Sequence, residues 1–345
     1  MTTPGIVLLV YSLIVFCFYV YALTGGADLG TGAWSLFPPR QRSDSYRRLI
    51  REALTPVWEA HHVWLVIVVV LLFVTMPTAF SAMSVALFIP LLLTLIFLVL
   101  RGAAFAFSAY ADGDVCSSAI WTLTFGVSSL AAPFMLGVSV GSILSGTIRV
   151  DPASGWVASN FVSSWAATFP IVAGLFMTAS VLHLSAIYLT LETTDPSLQE
   201  DFRQRAGITG SLTAGLLLLS LWTASSGARL LFEHAVKGTF FWVFVFLIGL
   251  SLVGDMAGLY LKKYGWSRLM AWTFVTILMG AGAAAQYPYI LAPDLSLSVA
   301  AAPASVLWPI TIAVLLGTVF IVVPSFGALY FIFKRHAFRR TTKTN

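Results

Sequence analysis

Residues 4–23 read PGIVLLVYSLIVFCFYVYAL, a stretch without one charged side chain. A hydrocarbon core about 30 Å thick takes roughly 20 apolar residues as helix, so this stretch by itself is long enough to cross a bilayer. It lacks a basic start, so it reads as a retained span and not a cleavable leader. Similar apolar runs follow near 56–76, 79–100, 118–141, 165–190, 207–224, 239–260, 268–285 and 305–332, separated by Pro, Gly and charge signals of loops. The turn at Met76-Pro77-Thr78 is short and predicts a tight hairpin between the second and third runs. Composition agrees: 59% of residues are hydrophobic and 10% charged, against about 25% charged in soluble domains. The expected class is an all-α integral membrane protein of about nine transmembrane helices. We expect one polytopic domain over 1–345. Within it, two four-helix bundles (1–141 and 161–285) stand beside a peripheral helix at 305–332.

The charges orient these helices. Arg40, Arg42, Arg47, Arg48 and Arg51 crowd the loop 33–55, which the positive-inside rule places in the cytoplasm. Alternating nine spans then puts the N-terminus outside and the C-terminus in the cytoplasm. Arg101, Arg203, Arg205, Lys262, Lys263, Arg268, Lys334, Arg335, Arg339, Arg340 and Lys343 join the same side. Only Arg149, Arg229 and Lys237 of the 19 basic residues fall outside. The net charge of +5 is explained by this orientation, and no nucleic-acid partner is expected. The two cysteines, Cys17 and Cys116, make neither a metal spacing nor a disulfide framework.

Ionisable residues inside spans are costly, and each is a functional candidate. Asp28 closes the first run in Thr24-Gly25-Gly26-Ala27-Asp28-Leu29-Gly30-Thr31-Gly32. Glycines there let the backbone leave a helix or let a neighbouring helix come close. Asp28 is either a cap for the next turn or a proton or partner contact. The second run opens as Pro56-Val57-Trp58-Glu59-Ala60-His61-His62-Val63-Trp64. Pro56 suits a first helical turn, where the dipole favours the Glu59 carboxylate. Glu59 and His62 share a face, and Trp58 and His61 form a neighbouring stripe. The segment is either the proton-accepting mouth of a buried path or an interfacial Glu beside two interfacial histidines. A di-histidine metal site is the weaker reading, since adjacent helical residues point about 100° apart. Arg101, at the end of the third run, either snorkels to the interface or pairs with an acid on another helix. His183 reads as a hydrogen-bonded core histidine and Asp255 as an acid near the cytoplasmic end of the seventh run. The Trp and Tyr residues mostly suit interfacial belts.

Together these motifs resemble subunit II of the cytochrome bd-type quinol oxidases. The glycine-rich stretch is similar to D-G-F-D-[LM]-G-V-G, and the Pro56–Trp64 stretch to P-x-W-[DE]-x-N-x-V-W. Leu100-Arg101-Gly102 is similar to the arginine that ends the family's third span. Weaker likenesses are Ser185-Ala186-Ile187-Tyr188-Leu189 and the outer loop from Tyr287-Pro288 to Pro303. The resemblance implies a prokaryotic inner-membrane subunit that packs against a haem-bearing subunit I in a complex oxidising quinol and reducing O₂. Haem b and haem d are expected in that partner, with no metal or firmly bound cofactor and no catalytic residue in this chain. A structural quinone here and a small single-span accessory subunit also fit the resemblance. It implies a proton pathway from the cytoplasm through Glu59, with Trp58, Asp28, His61, His62 and Arg101 beside it. The chain departs from the pattern where Gly25 replaces an acid and His61 replaces an Asn, and Glu59 is one methylene longer than an Asp at its position, which shifts where its carboxyl reaches. A proton-coupled secondary transporter is the competing class, since two helical halves and Gly-interrupted helices suit it. Its acids, however, sit at the midplane of both halves, whereas the second half here reads as nearly bare. A purely structural scaffold is the third reading.

Overall fold

The computed structural model describes residues 4–39, 43–54, 60–108, 115–151, 156–160, 162–238, 241–329 and 331. The first apolar run forms α1 (Pro4–Trp34), about 46 Å long at 1.5 Å per residue. An amphipathic helix follows, α2 (Ser43–Leu54), and then α3 (His62–Thr75), α4 (Pro77–Ala86) and α5 (Phe88–Ser108). The chain continues through α6 (Val115–Ser145), α7 (Thr168–Glu192), α8 (Pro196–Gly227), the short α9 (Arg229–Lys237), α10 (Phe241–Tyr260) and α11 (Tyr264–Gln286). A two-stranded hairpin comes next, β1 (Tyr289–Leu291) against β2 (Leu295–Ser296), then α12 (Leu297–Ala300) and α13 (Ala304–Gly317). A π-helical turn over Thr318–Val322 carries the last helix onward.

Eight of these helices are long and apolar enough to cross a membrane. The pair α3 and α4, bent by 118° at Met76, makes a ninth candidate. The molecule is thus a multi-pass membrane protein, with one correction to the expected hairpin. Pro77 starts α4, since its missing N–H and fixed φ suit a first helical position. This ten-residue helix turns the chain aside, so the third long span begins at Phe88 and not near residue 79. The shift also moves Arg101 inward: α5 runs seven residues past it. Likewise α1 continues unbroken through Gly25–Gly32 to Trp34, so Asp28 sits inside a helix and caps nothing.

The helix α8 starts at Asp195, whose carboxylate accepts the Ser197 N–H at 2.9 Å, with Pro196 in the first turn. At about 48 Å it overshoots a hydrocarbon core of about 30 Å. Its first turns carry the ion pairs Glu200–Arg203 and Asp201–Arg205. The helix α7 is the hub, packing against α1, α6 and α8, while α5 packs on α6 and α10 on α11.

Two apolar cores form at opposite ends of α1. Ile6, Val10 and Ile14 meet Leu71 and Met76 and the hairpin residue Leu291 at one end. At the other, Trp34 gathers Tyr46, Leu49 and Ile50 of α2 with Ile187 of α7, Phe202 of α8 and Leu259 of α10. That packing explains α2: its apolar residues recur at helical spacing and face the protein, while Arg47, Arg48 and Arg51 stay exposed. Tyr46 donates to the Trp34 carbonyl at 3.0 Å and stacks on Phe202, and burial pushes its phenol up, keeping it a donor. The Arg205 guanidinium lies over Trp34, Tyr46 and Phe202, and so closes the contact.

Candidate functional site

Three sequence segments converge on one buried point. Arg101 of α5 places Nη2 2.8 Å from Asp28 Oδ2 of α1, and His61, just ahead of α3, places Nε2 3.3 Å from the same oxygen. All three residues are 1–2% exposed. Arg101 also donates from Nη2 to the Asp28 carbonyl at 3.2 Å and from Nε to Ser129 Oγ of α6 at 3.0 Å. Its guanidinium lies over the Phe125 ring. Arg101 therefore does not snorkel; it is among the largest fully buried side chains of the chain. A guanidinium does not give up its proton in a protein, so the charge opposite Asp28 is fixed.

Histidines 61 and 62 do not diverge as two helical neighbours would. Ala60 and His61 form a turn, α3 begins at His62, and the two imidazole centroids lie 4.3 Å apart. The Tyr21 ring lies tilted beside both, at 5.8 Å from His61 and 6.0 Å from His62. Sequence reasoning passed over Tyr21, although it shares a face of α1 with Asp28, seven residues on. Ser129 was missed as well; the signal was its place on α6 among small residues. Glu59 and Trp58, the leading residues of the second motif, lie outside the described residues.

Gly25 explains why the imidazole fits. A Cβ there would lie 2.9 Å from His61 Cδ2 and 3.1 Å from Tyr21 Cε2. The two departures from the family pattern, Gly25 and His61, thus touch each other: the missing side chain at 25 leaves the space the imidazole occupies. Gly30 works in the same way between helices, since a Cβ there would overlap Ser185 Oγ and the Val181 carbonyl of α7. Ser185 in turn accepts the Trp34 indole N–H at 3.0 Å. The glycine-rich motif is therefore a close-approach surface.

The second half is not bare. His183 of α7 and Asp255 of α10 form a second buried pair, with Nε2 2.6 Å from Oδ2, and Ser267 of α11 donates to Oδ1. Both ring nitrogens of His183 are engaged, Nδ1 with the Ala206 carbonyl at 3.0 Å, an arrangement that does not fit axial ligation of a haem. Among the described residues, no group of three or more His, Cys, Asp or Glu side chains is placed to hold a metal ion.

Fold and site together define a polytopic membrane protein with a fixed acid–arginine pair and histidines buried among its spans. Residues 6–333 match the cytochrome bd terminal oxidase subunit II family, and the chain belongs to it. It is 24% identical over 174 residues to the cytochrome bd-I ubiquinol oxidase subunit 2 of Escherichia coli strain K12, covering 50% of this chain and 45% of that one. It is 26% identical over 183 residues to the cytochrome bd ubiquinol oxidase subunit 2 of Bacillus subtilis, covering 53% and 52%. The chain thus spans about half the length of these relatives. Its fold is that of a chain in the bd oxidase of Geobacillus thermodenitrificans, with a TM-score of 0.78, 20% identity and coverage of 95% of this chain and 98% of that one.

Proposed function

We propose that this chain is the non-haem subunit of a bd-type quinol oxidase in a prokaryotic inner membrane. In this reading it packs against a haem-bearing subunit I, which carries haem b and haem d and binds quinol and O₂. This chain then stabilises subunit I and supplies part of the path by which cytoplasmic protons reach the site of O₂ reduction. The observation that carries the reading is the meeting of Asp28, His61 and Arg101, from three separate family-like motifs, at one buried point.

The chemistry follows from the residue types. Glu59, two positions before His61, is the proton acceptor on the cytoplasmic side, with Trp58 beside it. His61 and His62, whose rings lie 4.3 Å apart, pass the proton inward as imidazoles, one ring nitrogen accepting as the other releases. Asp28, held by Arg101, gives the imidazolium form of His61 a counter-charge while the proton is there. Grouping into two four-helix halves with a peripheral ninth span belongs to the same proposal and rests on the count of spans, and the N-terminus-outside orientation rests on the charge distribution. A structural quinone and an accessory single-span subunit remain compatible additions. The transporter reading is not favoured, because the family match runs along nearly the whole chain.

The test is Glu59→Gln in the assembled complex, with quinol-dependent O₂ consumption and proton uptake measured across pH. The proposal expects both to fall. Unchanged rates at every pH would remove Glu59 from the path.

A further inference from the structure

We infer that His183 and Asp255 form a second proton-binding site, in which one proton held between Nε2 and Oδ2 ties α7 to α10. The site is built by four helices. His183, Asp255 and Ser267 come from α7, α10 and α11 and are 3%, 1% and 0% exposed, and α8 contributes the Ala206 carbonyl. The imidazole has a shaped seat: a Cβ at Gly210 of α8 would lie 2.8 Å from His183 Cε1 and 3.0 Å from Nδ1.

Counting hydrogens fixes the occupancy. A carbonyl oxygen only accepts, so Nδ1 carries a hydrogen for Ala206. The Ser267 hydroxyl spends its hydrogen on Oδ1. The 2.6 Å contact between Nε2 and Oδ2 then needs one further proton, carried by either atom. With that proton the pair is neutral overall, whichever atom carries it. Without it, two lone pairs face each other and a carboxylate is left in an apolar bundle, which is costly. Loss of the proton therefore weakens the tie between the two helices.

The first site differs on this point. Asp28 faces a guanidinium, whose charge is permanent, whereas Asp255 faces an imidazole, whose charge is not. Charged neighbours on the packed helices have other partners. Arg205, beside Ala206, pairs with Asp201 and lies over Trp34; Arg268, beside Ser267, lies over Trp272; Asp28 of α1 pairs with Arg101. On α6 the described side chains carry no charge. Asp255 and Ser267 sit five residues before the end of α10 and three after the start of α11. That is about 5–8 Å along the helices from the turn bearing Lys262 and Lys263, the side from which the proton exchanges. Two residues beyond His183, Ser185 receives the Trp34 N–H, so α7 joins this site to α1, the helix that carries Asp28.

The test is a double-mutant cycle on the assembled complex in lipid nanodiscs, with melting temperature followed across pH for wild type, His183→Gln, Asp255→Asn and the double variant. Between about pH 4 and 6.5, where the unfolded Asp is ionised and the unfolded His protonated, each single variant should melt several degrees below wild type, and the double variant little lower than either. The wild-type advantage should vanish as pH rises. An advantage that stays constant with pH, or additive losses, overturns the proposal. His183→Asn, whose amide can still donate to Ala206, replaces His183→Gln if that variant fails to assemble. If neither single variant assembles, Ser267→Ala leaves the pair in place: the pH above which its own melting temperature falls must differ from that of wild type, and an unmoved value overturns the site. Melting is read in place of O₂ consumption, so the outcome is independent of the proposed oxidase role.

Discussion

Removing the Arg101 guanidinium would leave Asp28 as a buried carboxylate with its permanent counter-charge gone. Breaking one side of a buried pair costs about 3–5 kcal/mol, whereas removing both sides costs far less. Arg101→Met should therefore sharply reduce the heat resistance of the complex, and adding Asp28→Asn should restore part of it. Additive losses would mean the two residues do not act as a pair. Gly25→Ala pushes a methyl group into the His61 ring and should displace the imidazole from Asp28, lowering the yield of assembled protein. Gly25→Ala with His61→Asn should recover that yield, and no recovery would show that the contact between them does not govern the site. At this scale the sequence was partly legible. Asp28, His61 and Arg101 stood out because charge is rare in an apolar chain. Their partnership was not legible, because a linear pattern does not say which faces of three helices meet. His183 and Asp255 were likewise visible singly, 72 positions apart, with nothing local to join them.

Helix contacts depend on small residues at a few places. Gly30→Ala would force α1 away from Ser185 and the Val181 backbone of α7 and should destabilise the protein clearly. Gly207→Ala on α8 meets nothing within 4 Å and should be neutral or stabilising by up to about 1 kcal/mol. Thermal unfolding of the two variants side by side tests this, and equal effects would contradict the close-approach role of the glycine-rich motif. The long spans were readable from hydrophobic run length alone. The short elements were not. In α4 the apolar sequence continues smoothly into α5, and only the packing of Ala79, Ala82 and Met83 shows that ten residues lie across the chain direction. The five arginines over 40–51, three of them in α2, read as a loop and mask Tyr46, Leu49, Ile50 and Leu54, which are spaced as one helical face.

Across the whole molecule, the proposed orientation turns two ends of very different charge toward the two sides of the membrane. Cysteines placed at Lys262 and at Arg149 should react with an impermeant thiol reagent from opposite sides, Lys262 from the cytoplasm. Reaction from one side only would contradict the nine-crossing orientation. Arg101 no longer belongs in that charge balance, since it is buried with Asp28, but the remaining bias is unchanged in direction. The central claim, that this chain works as the non-haem partner in a bd-type oxidase, is tested most directly by purifying the tagged chain from its native membrane in mild detergent. The eluate should contain a second polytopic subunit, show the absorption of haem b and haem d, and consume O₂ when given quinol. A homogeneous haem-free protein with no such activity would contradict it.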